Sequence, residues 1–333
     1  MKALVTGATG FVGGHLVEAL LRAGSEVTAL TRSPAKAALL DRLGVRQVRG
    51  DLEDRSALSQ AVQGQNVVFH VAGLIAARDE AEFLRANRGG TANLLEALRA
   101  EWQGRRAAAP PRVVHVSSMA AAGPSEPGRP LTGAERPAPV SSYGRSKLAG
   151  EEILRASDLP WTIVRPPMVY GPRDTEVLKV FRLARLGVVP VFGPGTQELS
   201  AIYAADLAAA LIAAGTSGTA IGQTYYACHA EVFSSSQFVE AVGQALEPAR
   251  RRPVRTIPLP RWLAGGALSI TEATARLTGR ATILTPDKAN EFFQPAWAAD
   301  PGPLMRDTGW KPASDLAAGL TATARWYREQ GWL

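Results

Sequence analysis

A single cysteine, Cys228, stands in the 333 residues of this chain, so no internal disulfide can staple the fold and a reducing, cytoplasmic setting is expected. Its plain role is that of a small buried hydrophobe. Histidine is scarce too. His15, His70, His115 and His229 lie far apart, without ligand spacing or a cysteine cluster, so no metal site is expected. No apolar run reaches the ~20 residues of a bilayer span. Met1-Lys2 leads straight into an apolar strand, so no leader peptide is expected. Internal repeats and low-complexity tracts are missing as well. Negative charge is in deficit, with 30 Asp and Glu against 37 Lys and Arg, a net charge of +7. The arginines are spread along the chain and no nucleic-acid motif accompanies them, which excludes nucleic acid as an expected partner. A mildly basic surface suits instead an enzyme whose cofactor carries several phosphates.

Of the residues present, 46% are hydrophobic and 20% charged, the balance of a soluble globular protein. The length allows one large domain or two modest ones. The stretch Ser141-Ser142-Tyr143-Gly144-Arg145-Ser146-Lys147-Leu148-Ala149-Gly150-Glu151 reads as the opening of a helix, with Ser141 or Ser142 as its cap. A step of four puts Tyr143 and Lys147 on one face, a turn apart. A free phenol titrates near pH ~10, and an ammonium beside it is expected to lower that value and give a usable acid or base. A solvated helix face would show the same spacing, so the upstream residues decide.

Residues 2–6 form a short apolar strand. Gly7-Ala8-Thr9-Gly10-Phe11-Val12-Gly13 follows and leads into a periodic helix, Phe11–Arg22, that stops at Gly24. Strand, glycine turn and helix in that order form a dinucleotide-binding geometry. Gly7 allows the turn, Gly10 lets backbone N–H groups approach a pyrophosphate, and Gly13 permits close helix packing. A second strand, Glu26–Thr31, ends where a carboxylate would hold the ribose 2′-hydroxyl of NAD. Thr31, Arg32 and, further on, Lys36 stand there instead. A guanidinium binds a 2′-phosphate and no carboxylate repels it, so NADP is favoured over NAD. After a third strand (45–49), Asp51 is a helix N-cap, an acceptor for the adenine amino group, or both. A fourth strand (66–71) runs through His70 to Ala72-Gly73, small residues against which a nicotinamide ribose can lie.

A long helix from about Glu80 to Glu101 comes next, then a fifth strand (112–116) ending in Ser117-Ser118. A Pro- and Gly-rich loop (120–139), the Tyr143 helix and a sixth strand (161–165) complete the alternation. It predicts an α/β fold, a Rossmann-type doubly wound parallel sheet. Past Pro166-Pro167-Met168 the regularity weakens. Helices are read near 176–186, from about 205, over 261–279 and over 314–331, with strands at 201–203 and 223–228 and an extended segment at 253–260. Residues 1–166, with 202–228 returning, are assigned to the nucleotide-binding domain. Residues 167–201 and 229–333 are assigned to a smaller C-terminal substrate-binding lobe.

Taken in order, Gly7-x-x-Gly10-x-x-Gly13, Ser118, Tyr143 and Lys147 resemble the extended short-chain dehydrogenase/reductases, in the NAD-dependent epimerase/dehydratase superfamily. The likeness continues through Asp51-Leu52, Asn87…Gly90-Thr91…Asn93 and Arg165-Pro166-Pro167…Tyr170-Gly171-Pro172. It ends with Tyr203-x-x-Asp206-Leu207-Ala208 and Gly309-Trp310-Lys311-Pro312. The resemblance implies that Tyr143 exchanges a proton with the substrate oxygen and that Ser118 hydrogen-bonds the same oxygen. It implies that Lys147 holds the nicotinamide ribose and keeps the Tyr143 pKa down. The cofactor set it implies is Gly7, Thr9, Gly10, Phe11, Val12 and Gly13, and then Arg32, Asp51, Leu52, Ala72, Tyr143, Lys147, Pro166 and Met168. It also implies a homodimer built on the Glu80–Glu101 and Tyr143 helices, with Leu148 and Ile153 as candidate contacts.

Sugar-nucleotide epimerases and dehydratases of the family usually carry an Asn three residues after the arginine that ends the sixth strand, and an arginine four residues before the tyrosine of Tyr-x-x-Asp. Met168 and Leu199 stand at those positions, so a polar anchor and a phosphate clamp are replaced by apolar groups. The C-terminal third, from Leu259-Pro260 through Glu272 and Arg276-Leu277-Thr278-Gly279 to Leu284-Thr285, looks more like the branch holding 3β-hydroxysteroid dehydrogenases and dihydroflavonol reductases. The expectation is an alcohol/ketone oxidoreductase for a hydrophobic or uncharged small molecule. The alternative is a nucleotide-sugar epimerase, dehydratase or reductase. A non-catalytic redox sensor on this fold would be expected to have lost part of Ser118, Tyr143 and Lys147, and all three are present.

Overall fold

Strands covered by helices on both faces read as continuous apolar runs, and that is how the N-terminal half of this chain is written. A computed structural model describes residues 1–33, 37–104, 109–249, 252–278 and 281–333; Lys36 and Gly279 lie outside the described residues. In chain order the first half comprises β1 (Lys2–Thr6), α1 (Phe11–Arg22), β2 (Glu26–Thr31), α2 (Ala38–Arg42), β3 (Arg46–Arg49), α3 (Arg55–Val62) and β4 (Val67–His70). It continues with α4 (Glu80–Leu84), a π turn (Arg85–Gly89), α5 (Gly90–Gly104), β5 (Arg112–Val116), the short α6 (Met119–Ala122), α7 (Ser142–Arg155) and β6 (Trp161–Val164). The second half opens with β7 (Met168–Tyr170), α8 (Glu176–Arg185), β8 (Val188–Phe192), β9 (Glu198–Leu199), β10 (Ala201–Tyr203), α9 (Ala204–Thr216) and β11 (Gln223–Tyr225). Then come β12 (Phe233–Ser234), α10 (Ser235–Leu246), β13 (Arg255–Leu259), α11 (Arg261–Leu277), α12 (Pro286–Phe292), β14 (Ala296–Trp297), α13 (Gly302–Thr308) and α14 (Leu316–Glu329).

The central sheet has seven strands in the order β11-β6-β5-β4-β1-β2-β3, and every neighbouring pair is parallel. The order reverses beside β1, the switch point at which nucleotides bind in doubly wound sheets. Successive side chains point to opposite faces. Val5 and Phe69 pack with Leu16, Leu20, Leu207 and Leu211 on the face covered by α1 and α9. Leu4 and Val68 pack on the other face with Leu58, Leu94, Leu98 and Ile163. A separate cluster, including Tyr170, Phe181, Phe238, Val242, Leu320 and Tyr327, forms the core of the second half. Buried Asp206 in α9 fastens the two together, accepting hydrogen bonds from the backbone of Ala313 (2.9 Å) and Ser314 (3.2 Å).

Two expectations need correction. The helix read as regular over 80–101 stays helical from Glu80 to Gly104 but departs from the α pattern in a π turn at Arg85–Gly89. Within the 120–139 region, the first turn is helical as the end of α6. The second half also holds elements that periodicity did not reveal: α10, started by a Ser234/Gln237 capping box, α12, α13, and strands of two residues that exist only as pairings.

Candidate active site

The C-terminal ends of β1, β4, β5 and β6 converge, and the site is built there. After Thr6 the chain turns at Gly7 with φ +73°, and a Cβ on Gly7 would lie 2.7 Å from the Ala72 nitrogen. A Cβ on Gly13 would lie 2.1 Å from the Gly7 carbonyl oxygen, so α1 can approach this closely only with glycine there. Gly10 is the N-cap of α1 and bonds back to the Gly7 carbonyl at 2.9 Å. No side chain caps this end and no acid stands in its first turn. With Thr9 and Gly10 exposed and Phe11 and Val12 half-buried, the helix end faces outward with its positive dipole free, a cradle that fits a dinucleotide pyrophosphate.

Arg32 is exposed just past the end of β2, the strand beside β1. Asp51 is not a helix N-cap, in contrast to one of the two roles read for it. Asp54 caps α3, accepting from Ala57 N–H at 2.9 Å. The Asp51 carboxylate instead accepts from the Glu53 and Asp54 N–H groups, fixing the turn that carries Leu52. Leu52 packs against Gly90, and its carbonyl accepts from Asn93.

Thr6, His70 and His115 stand side by side across β1, β4 and β5. The Thr91 hydroxyl donates to the Asn87 carbonyl (2.6 Å), so it accepts from His70 Nε2 (3.0 Å). His70 Nδ1 then accepts from the Thr6 hydroxyl (2.8 Å), which accepts in turn from Ala72 N–H (3.3 Å). This chain needs a neutral imidazole, and burial holds His70 neutral by pushing its pKa down to about 3, with the Lys147 ammonium adding to the effect. Asn87, in the π turn, clamps the next loop. It accepts from Leu74 N–H (2.8 Å) and donates to the Leu74 carbonyl (3.1 Å) and to Ser146 Oγ (2.8 Å). Ser146 Oγ donates to the Tyr143 carbonyl (2.7 Å). The Ala72–Leu74 loop, the π turn and α7 are thereby one unit.

Ser141 is the cap of α7, accepting from Gly144 N–H at 3.0 Å. Ser118 caps α6, accepting from Ala120 N–H (3.2 Å), and its hydroxyl stands near enough to the Tyr143 phenol to act on its pKa. Lys147 is buried and donates to the Val116 carbonyl (2.8 Å). Burial lowers its pKa to about 8, against the opposing pull of Glu151. The expectation for Tyr143 is overturned: its pKa is pushed up to about 12. Burial is the main cause, outweighing the Ser118 hydrogen bond, and nearby Glu291 adds to the rise; the Lys147 ammonium is turned toward Val116. Met119 N–H bonds to the Pro166 carbonyl (3.0 Å), which brings Pro166 beside Ser118. Met168 and Leu199 pack against the same apolar cluster.

Residues that sequence reasoning passed over hold this arrangement. Glu151, fully buried one turn beyond Lys147, accepts from Arg165 Nε (2.8 Å) and Nη2 (2.6 Å), from Arg155 (2.9 Å) and from Ser117 Oγ (2.5 Å). That ties α7 to the ends of β5 and β6. The i, i+4 step from Lys147 was a usable signal for it. Helix α12 sits over the start of α7: Asp287 accepts from Ser142 N–H (2.9 Å), Glu291 accepts from Ser141 Oγ, and the Lys288 ammonium lies 4.7 Å from the centre of the Tyr143 ring. Phe83 flanks the same ring at 5.9 Å. No local pattern announces these partners. A separate cleft of about 550 Å³, lined by residues such as Thr132, Glu135, Arg155, Gln223 and Arg306, contains neither Ser118, Tyr143 nor Lys147.

The model of the NAD dependent epimerase/dehydratase family matches residues 3–227. A ceramide reductase of Caulobacter vibrioides is 34% identical over 330 residues, covering 99% of this chain and 95% of its own. A 3 beta-hydroxysteroid dehydrogenase/Delta 5-->4-isomerase of Mycobacterium tuberculosis is 29% identical, covering 98% of this chain and 90% of its own. Among solved structures, UDP-glucuronic acid 4-epimerase from Bacillus cereus in complex with NAD superposes with a TM-score of 0.76 at 22% identity, over 99% of each chain, which shows a shared fold.

Proposed function

The chain belongs to the NAD dependent epimerase/dehydratase family and is an NAD(P)-dependent oxidoreductase, and from that premise we propose that it interconverts a secondary alcohol and a ketone on an apolar, lipid- or steroid-like molecule. The observation that carries the substrate reading is the pair Met168 and Leu199, which extend one apolar cluster where a sugar diphosphate would need a polar anchor and a cation. The names of two relatives, a ceramide reductase and a hydroxysteroid dehydrogenase, support it.

When bound, the cofactor supplies or accepts the hydride at the carbon bearing the reacting oxygen. Ser118, beside the Tyr143 phenol, donates a hydrogen bond to that oxygen. At neutral pH Tyr143 keeps its proton. In the reductive direction it passes the proton to an alkoxide, which is a stronger base than a phenolate. Lys147 is positioned by Glu151 and the Val116 carbonyl to reach a ribose hydroxyl laid against Ala72-Gly73, since its ammonium lies 3.4 Å from the place a Gly73 side chain would occupy. Gly7, Thr9, Gly10, Phe11, Val12 and Gly13 hold the pyrophosphate. Asp51 and Leu52 border the adenine, and exposed Arg32 selects a 2′-phosphate, which favours NADP.

Residues 1–166 with 202–228 bind the cofactor, and the rest form the substrate lobe. The protein works in the cytoplasm, without a membrane-spanning helix among the described residues. It forms a homodimer through α5 and α7, with a light-scattering mass twice that of one chain.

The test is a substrate panel with either cofactor: long-chain and steroid ketones and their alcohols against UDP- and GDP-sugars. Turnover of the apolar set alone is expected. Turnover of a sugar nucleotide with none of the apolar set would sink the proposal.

A further inference from the structure

Helix α11 presents water with a face that carries no charge. Taking 3.6 residues per turn, Trp262, Leu263, Gly266, Ile270 and Ala273 fall within an arc of about 100°, and all five are exposed. Trp262 is 78% exposed, Ile270 67% and Leu263 46%, while Ala264 and Leu268 on the opposite side are buried. Ile257, four residues before the helix, is 50% exposed. An ordinary surface helix keeps charged residues on its outer face, and a contiguous exposed apolar patch of this kind marks an interaction site.

The flanking charge identifies the partner. Residues 248–271 contain Arg250, Arg251, Arg252, Arg255 and Arg261 and no Asp or Glu, with Glu247 just before them and Glu272 further along α11. Arg250 and Arg251 lie outside the described residues; Arg252, Arg255 and Arg261 are exposed. A self-complementary contact between two copies would set these five arginines against each other, with only Glu247 and Glu272 nearby in the chain to offset them. An anionic lipid surface satisfies both features, because it takes apolar side chains below the headgroups and arginines at them.

We propose that the exposed face of α11 docks the protein on the surface of an anionic bilayer, lying in the interface without crossing it. The helix packs on α12, and Arg261 donates to Asn290 there (3.2 Å). Helix α12 in turn places Lys288 over the Tyr143 ring. The docked face is therefore one helix removed from Tyr143. The docking surface itself does not depend on the substrate reading; only its use as an access route for a lipid substrate rests on it.

The test is flotation of the full chain, without cofactor or substrate, with vesicles of phosphatidylcholine alone or mixed with phosphatidylglycerol. Binding to the mixed vesicles at low salt is expected, with release at about 0.5 M salt as the charges are screened. Trp262→Glu with Ile270→Glu should abolish flotation while the thermal midpoint and the cofactor affinity stay unchanged. Arg252→Gln with Arg255→Gln, which leaves the apolar face intact, should lower partitioning roughly 30-fold, about fivefold per arginine. The proposal is overturned if the unaltered protein ignores anionic vesicles, or if either double variant floats as well as it does. It is equally overturned if the glutamate pair instead converts a dimer to a monomer and no vesicle binding occurs.

Discussion

Tyr143 sits where burial, the Ser118 hydroxyl and the charge of Glu291 set its proton affinity, and replacing single atoms there separates chemistry from binding. Tyr143→Phe removes the proposed proton donor and leaves the ring packed against Phe83 and Lys288. Turnover should fall ~10²–10⁴-fold, with the dissociation constant for reduced cofactor within about twofold of wild type. Wild-type turnover in this variant would rule out the assignment. Lys147→Ala should damage both quantities, since one ammonium serves the ribose and the site's charge. Arg32 is the residue to ask about the 2′-phosphate. Arg32→Asp should weaken NADP by ~10–100-fold, the loss of a charge-assisted contact plus added repulsion, and leave NAD within a few-fold. Equal losses in a fluorescence titration would show that Arg32 is only a surface residue. The spacing of Tyr143 and Lys147 was legible because four residues make one helical turn. The raised Tyr143 pKa was not, because it depends on what covers the ring.

Among the elements, the turn between β1 and α1 is specified most tightly. Gly13→Ala would push a methyl to 2.1 Å from the Gly7 carbonyl, closer than any contact allows. The backbone of the glycine turn must shift, so stability should drop by ~1–3 kcal/mol. Cofactor affinity should fall further than that loss alone explains, because the cradle for the pyrophosphate opens. Urea unfolding with and without cofactor measures both, and an unaltered cofactor affinity would remove this turn from the binding site. That element could be read from sequence because every constraint on it is local. The π turn could not. Nothing in its spacing sets it apart from the helix on either side, and its distinguishing contacts are those of Asn87 across to Leu74 and Ser146. Helix α12 is a further case, since its contacts with Ser141 and Ser142 come from chain far downstream.

For the molecule as a whole, buried histidines predict how stability responds to acid. Burial lowers the pKa of His15 to about 4 and of His70 to about 3, from an ordinary 6.5, with the Arg173 charge adding to the shift at His15 and Lys147 to that at His70. Below pH 6.5 the unfolded chain binds protons that the folded one refuses. The stability they contribute is therefore complete above pH 6.5 and is lost as pH falls towards 4 and 3. Each histidine gives a slope of about 1.4 kcal/mol per pH unit within that window. His70→Gln should lower stability at pH 7, because the Thr6–His70–Thr91 chain is cut, yet flatten the decline between pH 6 and 4 by about that slope. Parallel wild-type and variant curves of unfolding free energy against pH would contradict it.

The sequence by itself determined the fold class, the family, the glycine cradle and the order of Ser118, Tyr143 and Lys147. Each depends on residues near one another in the chain, through the period of a strand, the turn of a helix or the room around a glycine. Only the tertiary structure decided that Asp54 and not Asp51 caps α3, that Glu151 with Arg165 anchors α7, and that Tyr143 holds its proton more tightly than a free phenol. It alone showed that α11 turns an uncharged face to solvent. These depend on which groups are excluded from water and which distant partners fill their hydrogen bonds, and a linear pattern carries no record of either until the chain has packed.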